Sequence, residues 1–497
     1  MMFDLVIIGS GAGLMAAEAA SKKGLKVALI EKGKVGGTCL TRGCIPSKML
    51  VYPADLMREA QRGYKAGVTF SGVKADWTLI SERVWERIDF SKEIEASLPS
   101  YPGLRFLKGE ATFTGRHSVD VRLSSGETVA VEGKKFLVAT GARTLVPPIE
   151  GLEKVDYLTS ETFFGDKYPK TPYKSLIIVG GGTIAAEFAH IFAAMGTRVT
   201  VLGRNVQLLP QEDEEISSRV LWQMKDFCID VRLNHEAVRA RQEGETIFVT
   251  ARDRGEDREE TVSAQALLIA SGVRPETDRL GLGKAGVETD QKGWIEADRF
   301  LKTSNPDIFA LGDVIGPPLF RHKANYQAGL FIENEIWGQM PKRARDEKAM
   351  PWAVFCMPQV GHVGLTEKEV RALKKPYYAA RYHLHETAAG MAMGYKAKDG
   401  DDGFVKILMD QDRHILGAHV AGFQAAALVQ PFCYLMNAGT GVERGSIEPL
   451  LRSMVIHPSL SEFTAWSMES VDWAHPIDPT EDGVTDAENA PAPSGRV

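Results

Sequence analysis

Phe3-Asp4-Leu5-Val6-Ile7-Ile8-Gly9-Ser10-Gly11-Ala12-Gly13 is an apolar run that breaks into glycines. An Ala-rich stretch follows, and then a second apolar run, Leu25-Lys26-Val27-Ala28-Leu29-Ile30-Glu31. Short apolar runs bounded by glycine predict buried strands, and the alanines between them predict a helix. Strand, tight turn, helix and strand make a βαβ unit of the kind that opens a dinucleotide-binding domain. Gly9 and Gly11 let the backbone approach a pyrophosphate, and the helix N-terminus offers free N–H groups and a favourable dipole. Leu14 stands where the fingerprint usually has Gly or Ala, so Gly13 is expected to take the close-packing role. Glu31 ends the second strand, where a carboxylate accepts hydrogen bonds from a ribose 2′-hydroxyl.

The pattern recurs. Leu176-Ile177-Ile178-Val179-Gly180-Gly181-Gly182-Thr183-Ile184-Ala185 leads into a helix to Ala194 and a strand from Arg198 to Leu202. Gly180, Gly182 and Ala185 occupy its fingerprint positions. One glycine fingerprint is compatible with a plain strand-to-helix turn, but two in the same context predict two Rossmann-like dinucleotide-binding domains in an α/β chain. In the second unit Gly203-Arg204 replaces the carboxylate. A guanidinium suits a 2′-phosphate, which slightly favours NADPH, against the plainer reading of a solvated arginine.

Composition supplies the outer boundaries. At 497 residues the chain exceeds one ordinary core. Pro147-Pro148 and the segment Pro169 to Pro172 precede the second unit, and Ala270-Ser271-Gly272-Val273-Arg274-Pro275 closes it. The charged run Lys342 to Lys348 leads into a last domain with strands at Phe404–Met409 and Ile415–Val420. The expected organisation is 1–150, 151–270, 271–345, 346–470, and an acidic, Pro- and Ala-rich tail over 471–497 that is expected to be mobile or else to wrap the body of the protein. A formal net charge of −6 argues against a bulk basic surface for nucleic acid. The N-terminus lacks a basic region and cleavage site, and no apolar stretch is long enough to span a membrane, so a cytoplasmic protein is expected.

Five cysteines in so long a chain are not a structural disulfide framework. Cys228, Cys356 and Cys433 are scattered and are expected to be buried small hydrophobes. Cys39 and Cys44 are close, within Gly36-Gly37-Thr38-Cys39-Leu40-Thr41-Arg42-Gly43-Cys44-Ile45-Pro46-Ser47-Lys48. This is not zinc-finger spacing, no second Cys/His cluster in the sequence completes a zinc set, and no metal is expected. The glycines and Pro46 predict a loop entering a helix, where the two sulfurs fall within disulfide reach and the helix N-terminus favours a thiolate. Lys48, four residues beyond Cys44, shares its helical face. Near the other end, His457-Pro458-Ser459-Leu460-Ser461-Glu462 pairs a histidine with a carboxylate that can orient it.

Together these segments resemble the class I pyridine-nucleotide disulfide oxidoreductases, which include dihydrolipoamide dehydrogenase and the glutathione, mycothione and mercuric reductases. The resemblance covers residues 3–466, and its markers run in family order: Gly37 to Lys48, Ala139-Thr140-Gly141, Gly180 to Glu187, Ala310-Leu311-Gly312-Asp313, and His457 to Glu462. It implies two nucleotide-binding domains, with 271–345 returning to the first, followed by a C-terminal α+β dimerisation domain, with FAD and NAD(P)H as cofactors. It implies that Gly9, Gly11, Gly13 and Glu31 hold the ADP part of FAD, with Gly37, Thr38, Gly109, Ala111, Thr140, Gly141, Gly312 and Asp313 nearby. Gly180, Gly182, Ala185, Arg204 and Gly272 would serve the nicotinamide coenzyme.

By the same resemblance, Cys39 and Cys44 form the redox-active disulfide, with Cys44 towards flavin and Cys39 towards substrate. Lys48 and Glu187 resemble the ion pair beside the flavin. His457 and Glu462 resemble an acid/base dyad donated across a homodimer. The implied activity is electron transfer between NAD(P)H, flavin, the dithiol and a small thiol/disulfide substrate. Ile184 to His190, Gly417 to Gln424 and Ile456 before His457 lean towards the mycothione reductase branch. The alternatives are the dihydrolipoamide dehydrogenase of a 2-oxoacid dehydrogenase core, and a flavin electron carrier or transhydrogenase. No cysteine pair follows His457, which argues against mercuric ion as substrate.

Overall fold

The computed structural model describes residues 2–397, 399–439 and 444–480. Its first domain is organised by the strand Met2–Ile8, which pairs in parallel with Val27–Glu31 on one side and with Thr128–Val138 on the other. Val6 and Ile7 are fully buried, one towards each face of the sheet. That is why the strand is continuously apolar rather than alternating. Ile7 and Leu29 pack with Ala16, Ala17 and Ala20 of the helix Gly13–Lys22. Gly13 makes that approach possible: a Cβ there would come within 2.8 Å of the Ile7 side chain.

The strand Leu104–Gly115 pairs in parallel with Val27–Glu31 through Lys108, then turns antiparallel against Ser118–Leu123 from Gly109 onward. After the second domain the chain returns, and Ile308–Ala310 pairs with Phe136–Val138 at the far side of the first sheet. The helix Arg321–Phe331 packs there against Gly13–Lys22.

The second domain repeats the plan. Ala266–Ile269, Ser175–Val179, Arg198–Gly203 and Asp230–Leu233 form a four-stranded parallel sheet in that order, with a three-stranded antiparallel sheet over His235–Ala264. Its helix Thr183–Ala194 packs on Cys44–Arg62 of the first domain, tied by Lys48 to Glu187 and by Asp55 to His190, within a core that also holds Phe163, Phe188 and Phe192. The last domain is a five-stranded antiparallel sheet in the order Pro351–Val354, Gln359–Gly364, Ile415–Gly422, Phe404–Met409, Tyr378–His383. The architecture is α/β, with two Rossmann-like domains and a C-terminal α+β domain. Among the described residues no helix is long and apolar enough to cross a membrane.

One expectation changes. Cys356 and Cys433 are buried, but Cys228 is exposed: it follows the helix Glu214–Asp226 in a turn, at φ 58°, where it faces solvent instead of a core. In the segment 471–497, residues 471–480 pack on the last domain: Ile477 exchanges backbone hydrogen bonds with the buried Tyr377, and Trp473 lies 5.1 Å from the Tyr378 ring. Residues 481–497 lie outside the described residues.

A buried charge cluster joins the second and last domains. Lys406, 1 % exposed, reaches Asp213 at 2.9 Å, Glu367 at 2.5 Å and Glu215 at 3.1 Å. Burial by itself would push Asp213 upward, but Lys406 holds it down to about 2. Its contribution to stability is therefore complete above the unfolded value of 3.8 and is lost as pH falls towards 2. Lys406→Met strands Asp213, while Arg381 still reaches Glu215 and Glu367, and is expected to cost about 3–5 kcal/mol, read as a lowered urea midpoint of the holoprotein at neutral pH.

Candidate active site

Cys39 lies on the short helix Gly37–Thr41, and Cys44 is the first residue of the helix Cys44–Arg62. Gly36 and Gly37 turn the chain at φ 104° and 68°, and a Cβ on Gly37 would come within 2.6 Å of the Gly11 backbone. The dithiol loop thus rests directly on the first glycine turn. A polar chain locks the same contact. The Glu31 carboxylate accepts from the Ser10 N–H at 2.9 Å and the Ser10 hydroxyl at 2.7 Å, and the Ser10 oxygen accepts from the Gly36 N–H at 3.1 Å.

Both cysteines are free thiols. The Cys44 thiol donates to Cys39 and thereby lowers Cys39 to about 7, with Arg321 and Lys48 adding to the effect against burial. The same hydrogen bond raises Cys44, which keeps its proton while Cys39 carries the charge. The two titrate as a unit.

Both thiols open into a cavity of about 1540 Å³ that runs between the first two domains. Gly9, Gly11, Glu31, Gly37 and Thr38 line it beside the dithiol, as do Gly109, Ala111, Thr140, Gly141, Gly312 and Asp313. Gly180, Gly182, Arg204 and Gly272 line its other part. Gly13 and Ala185 stand behind the wall, where they set helix packing: Ala185 is fully buried and Gly13 abuts Ile7. At Gly9 a Cβ would meet the Ala139 carbonyl at 2.4 Å, and at Gly180 the Ala270 carbonyl at 2.2 Å. The two turns are the same device used twice, a glycine pressed against the neighbouring strand.

Lys48 donates to both oxygens of Glu187, at 2.8 and 2.7 Å, and the Phe355 N–H donates to Glu187 at 3.1 Å. Glu187 is 4 % exposed, yet both members of the pair reach the cavity wall. Asp313 also faces the cavity, and burial pushes its carboxyl up against the pull of Lys323 and Arg321. Arg204 forms no ion pair among the described residues.

His457 and Glu462 are elsewhere. Nδ1 of His457 meets Glu462 at 2.5 Å, and the same oxygen accepts from the Ser459 N–H at 3.2 Å. Glu462 is buried, while the His457 imidazole is exposed and stacked on Trp466 at 5.4 Å. Neither residue lines the cavity. The dyad is assembled, but on the surface of the last domain, beside the exposed Met454 and Ile456.

Sequence reasoning missed Arg321, Phe320 and Trp352, which line the cavity. Arg321 bears electrostatically on both Cys39 and Asp313. Nothing in the local sequence distinguishes it from a solvated arginine, since its position depends on the return of residues 271–345 to the first domain.

A paired dithiol at one wall of a cavity that carries two glycine cradles defines a nucleotide-linked disulfide oxidoreductase. Residues 3–328 match the pyridine nucleotide-disulphide oxidoreductase family, and residues 350–468 match its dimerisation domain; the chain belongs to this family. Among its relatives are the mercuric reductase of Streptomyces lividans (34% identical, 89% of this chain and 91% of that one) and the mycothione reductase of Mycobacterium tuberculosis (32%, 93% and 97%). Another is the dihydrolipoyl dehydrogenase of Rhizobium etli (31%, 93% and 96%). The fold matches the Cu(II) complex of the HOCl-induced flavoprotein disulfide reductase RclA from Escherichia coli, with TM-score 0.81 and 27% identity over 94% of this chain and 99% of that one.

The family uses FAD and NAD(P)H, and its dimerisation domain supports a homodimer. The chain fits FAD. Thr140 Oγ1 is buried at the cavity without a hydrogen-bond partner, and the Gly9 and Gly11 turn bares its backbone to the cavity.

The Cys39 shift sets a pH dependence. In the NAD(P)H-reduced holoprotein, iodoacetamide alkylation of Cys39 is expected to rise through pH about 7, well below the range of a free thiol, with the rate followed by mass spectrometry. A midpoint at an ordinary thiol value would contradict the Cys44 hydrogen bond.

Proposed function

We propose that the protein is a reductase of a low-molecular-weight disulfide, using NADPH in preference to NADH and working as a homodimer with shared active sites. The observation that carries this reading is the dithiol in which Cys44 donates to Cys39, leaving Cys39 as the nucleophile. The Cys39 thiolate attacks one sulfur of the substrate, the substrate S–S bond breaks, and a mixed disulfide forms. His457 from a second copy of the chain, oriented by Glu462, protonates the leaving thiolate. Cys44 gives up its proton to the second thiol and attacks the Cys39 sulfur, closing the Cys39–Cys44 disulfide as that thiol departs. Two electrons have passed from the dithiol to the substrate. FAD, when bound, supplies the path by which NAD(P)H restores the dithiol.

The chain's residues support each role. Lys48 and Glu187 fix a charged pair at the cavity wall beside Cys44. Arg204, at the end of the second parallel strand of the second domain, offers a guanidinium where a 2′-phosphate belongs in such folds. An apolar hollow of about 670 Å³ flanks Cys44 between Ile45, Met49, Tyr52, Ile80 and Phe355, with Arg83 among its lining groups. That chemistry suits a small, partly apolar disulfide carrying an anionic group. The same dithiol run in reverse oxidises dihydrolipoamide, and the likeness to dihydrolipoyl dehydrogenase keeps that reading open to the same assay.

The test is a steady-state screen of the holoenzyme against the disulfides of glutathione, coenzyme A, lipoamide and other thiols with both coenzymes. Reduction with NADPH is expected, and Cys39→Ser is expected to abolish it. NAD+ reduction by dihydrolipoamide as the dominant activity would instead assign the protein to the 2-oxoacid pathway reading. Arg204→Ala is expected to weaken NADPH use by about 10-fold or more relative to NADH, the scale of one charged hydrogen bond.

The shared site has its own signature. Cys39→Ser and His457→Gln chains are each expected to be inactive as homodimers. Co-expressed in equal amounts, they should recover about a quarter of wild-type activity, because half the dimers are hybrids with one intact site. No recovery in the mixture would place the dyad in the wrong role.

A further inference from the structure

We propose that Glu212, His362 and His419 form a buried site for a divalent transition-metal ion of the Zn2+ class, clamping the second domain to the sheet of the last. His362 and His419 are direct cross-strand partners on Gln359–Gly364 and Ile415–Gly422, so their side chains leave the same face. Their rings meet edge to face at 4.5 Å. Glu212 arrives from the segment before the helix Glu214–Asp226 of the second domain. Both histidines are fully buried and Glu212 is 5 % exposed. The three offer ligand atoms within 4.8 Å of one another.

The hydrogen bonds show what the cluster lacks. Nε2 of His362 lies 3.0 Å from the Gly364 carbonyl, and Nε2 of His419 lies 2.9 Å from the Leu365 carbonyl. A carbonyl only accepts, so both Nε2 atoms carry hydrogen, and in a neutral ring Nδ1 then holds a lone pair. Nδ1 of His362 faces the Glu212 carboxylate at 3.0 Å, lone pair against lone pair. A positive charge must sit there. A proton satisfies His362 and Glu212 but leaves Nδ1 of His419, which is buried and has no hydrogen-bond partner. A divalent cation takes all three lone pairs.

The surroundings match those of a built site. Metal-bound histidines characteristically donate their other ring N–H to a carbonyl, as both do here. The remaining Glu212 oxygen is held by the Trp352 indole N–H, and the Trp352 ring stacks on His362 at 3.5 Å. Two imidazoles and one carboxylate favour Zn2+ and its neighbours over Ca2+ or Mg2+, which prefer oxygen alone. The ion supplies a cross-link between segments of two domains that no disulfide connects. Glu212 and Trp352 also reach the wall of the cavity that holds Cys39 and Cys44, but the ion needs no redox change.

The experiment uses FAD-loaded protein with the Cys39–Cys44 disulfide closed, so that those sulfurs are not offered as ligands. Chelator-stripped protein is dialysed against Zn2+, assayed for bound metal and thermal midpoint, and examined by zinc-edge X-ray absorption. One tightly held ion per chain is expected, with nitrogen and oxygen neighbours only and a raised midpoint. Glu212→Gln and His419→Gln, judged folded by their bound FAD, are expected to weaken Zn2+ binding by more than the ~10–100-fold that loss of an outer hydrogen-bond partner costs. His385→Gln removes the half-exposed His383–His385–Asp402 group and is expected to change nothing. Absence of stoichiometric metal, sulfur neighbours in the absorption spectrum, or loss of binding in His385→Gln each overturns the proposal. The spectrum and stoichiometry of the wild-type protein stand even if the core variants fail to fold.

Discussion

The Glu187 carboxylate is the point on which the cavity depends. It is buried, it takes both available oxygens to Lys48, and it accepts the Phe355 N–H besides. Lys48 belongs to the helix that begins at Cys44, Glu187 to the helix Thr183–Ala194 of the second domain, and Phe355 to the segment just after the first strand of the last domain. Each partner comes from a different domain. A carboxylate this buried is tolerable only while its donors stay in place. Its charge therefore holds three domains in the register that makes the wall beside the dithiol. The Lys406 cluster does the same between the second and last domains with the signs reversed, one buried cation among three carboxylates.

Within that frame the dithiol is positioned by backbone rather than by side chains. Gly37 lies against Gly11, and Gly9 against Ala139, at distances a Cβ would forbid. The glycine turn that suits a pyrophosphate and the loop that carries Cys39 are thus one packed unit. Moving either moves the other. The dyad obeys a different logic. His457 and Glu462 are paired and oriented within one chain, but on a surface that does not line the cavity and is flanked by exposed apolar side chains. On the function proposed above, the dithiol of one copy and the His457–Glu462 pair of another complete one site, and the dimerisation domain that carries the pair offers the means to join them.

Glu212, His362 and His419 illustrate how polar groups gather where domains meet. The loop after Arg204 follows the cavity wall as far as Glu212, which meets His362 on the face of the last sheet, beside His419 on the adjacent strand. A search for paired Cys and His spacings in the sequence finds no such set, because each ligand comes from a separate segment and the two histidines are neighbours only through strand pairing.

The sequence alone determined the repeated elements and the local chemistry. Apolar runs breaking into glycine, with helix and strand beyond, specify βαβ units because those contacts span only a few tens of residues. Cys39, Cys44 and Lys48 fall within one loop and helix, and His457 lies within one turn of Glu462, so their pairings were legible from spacing. The packing role of Gly13 was legible for the same reason. Tertiary structure decided everything that depends on long-range registration. The return of 271–345 and the Lys48–Glu187 pair were anticipated only through the family resemblance; tertiary structure alone placed Arg321 at the cavity, turned Cys228 outward, folded residues 471–480 onto the last sheet, and set His362 beside His419. Periodicity reports which residues seek a core. Which cores meet, and which buried charges find partners there, is fixed only when separate sheets and helices pack.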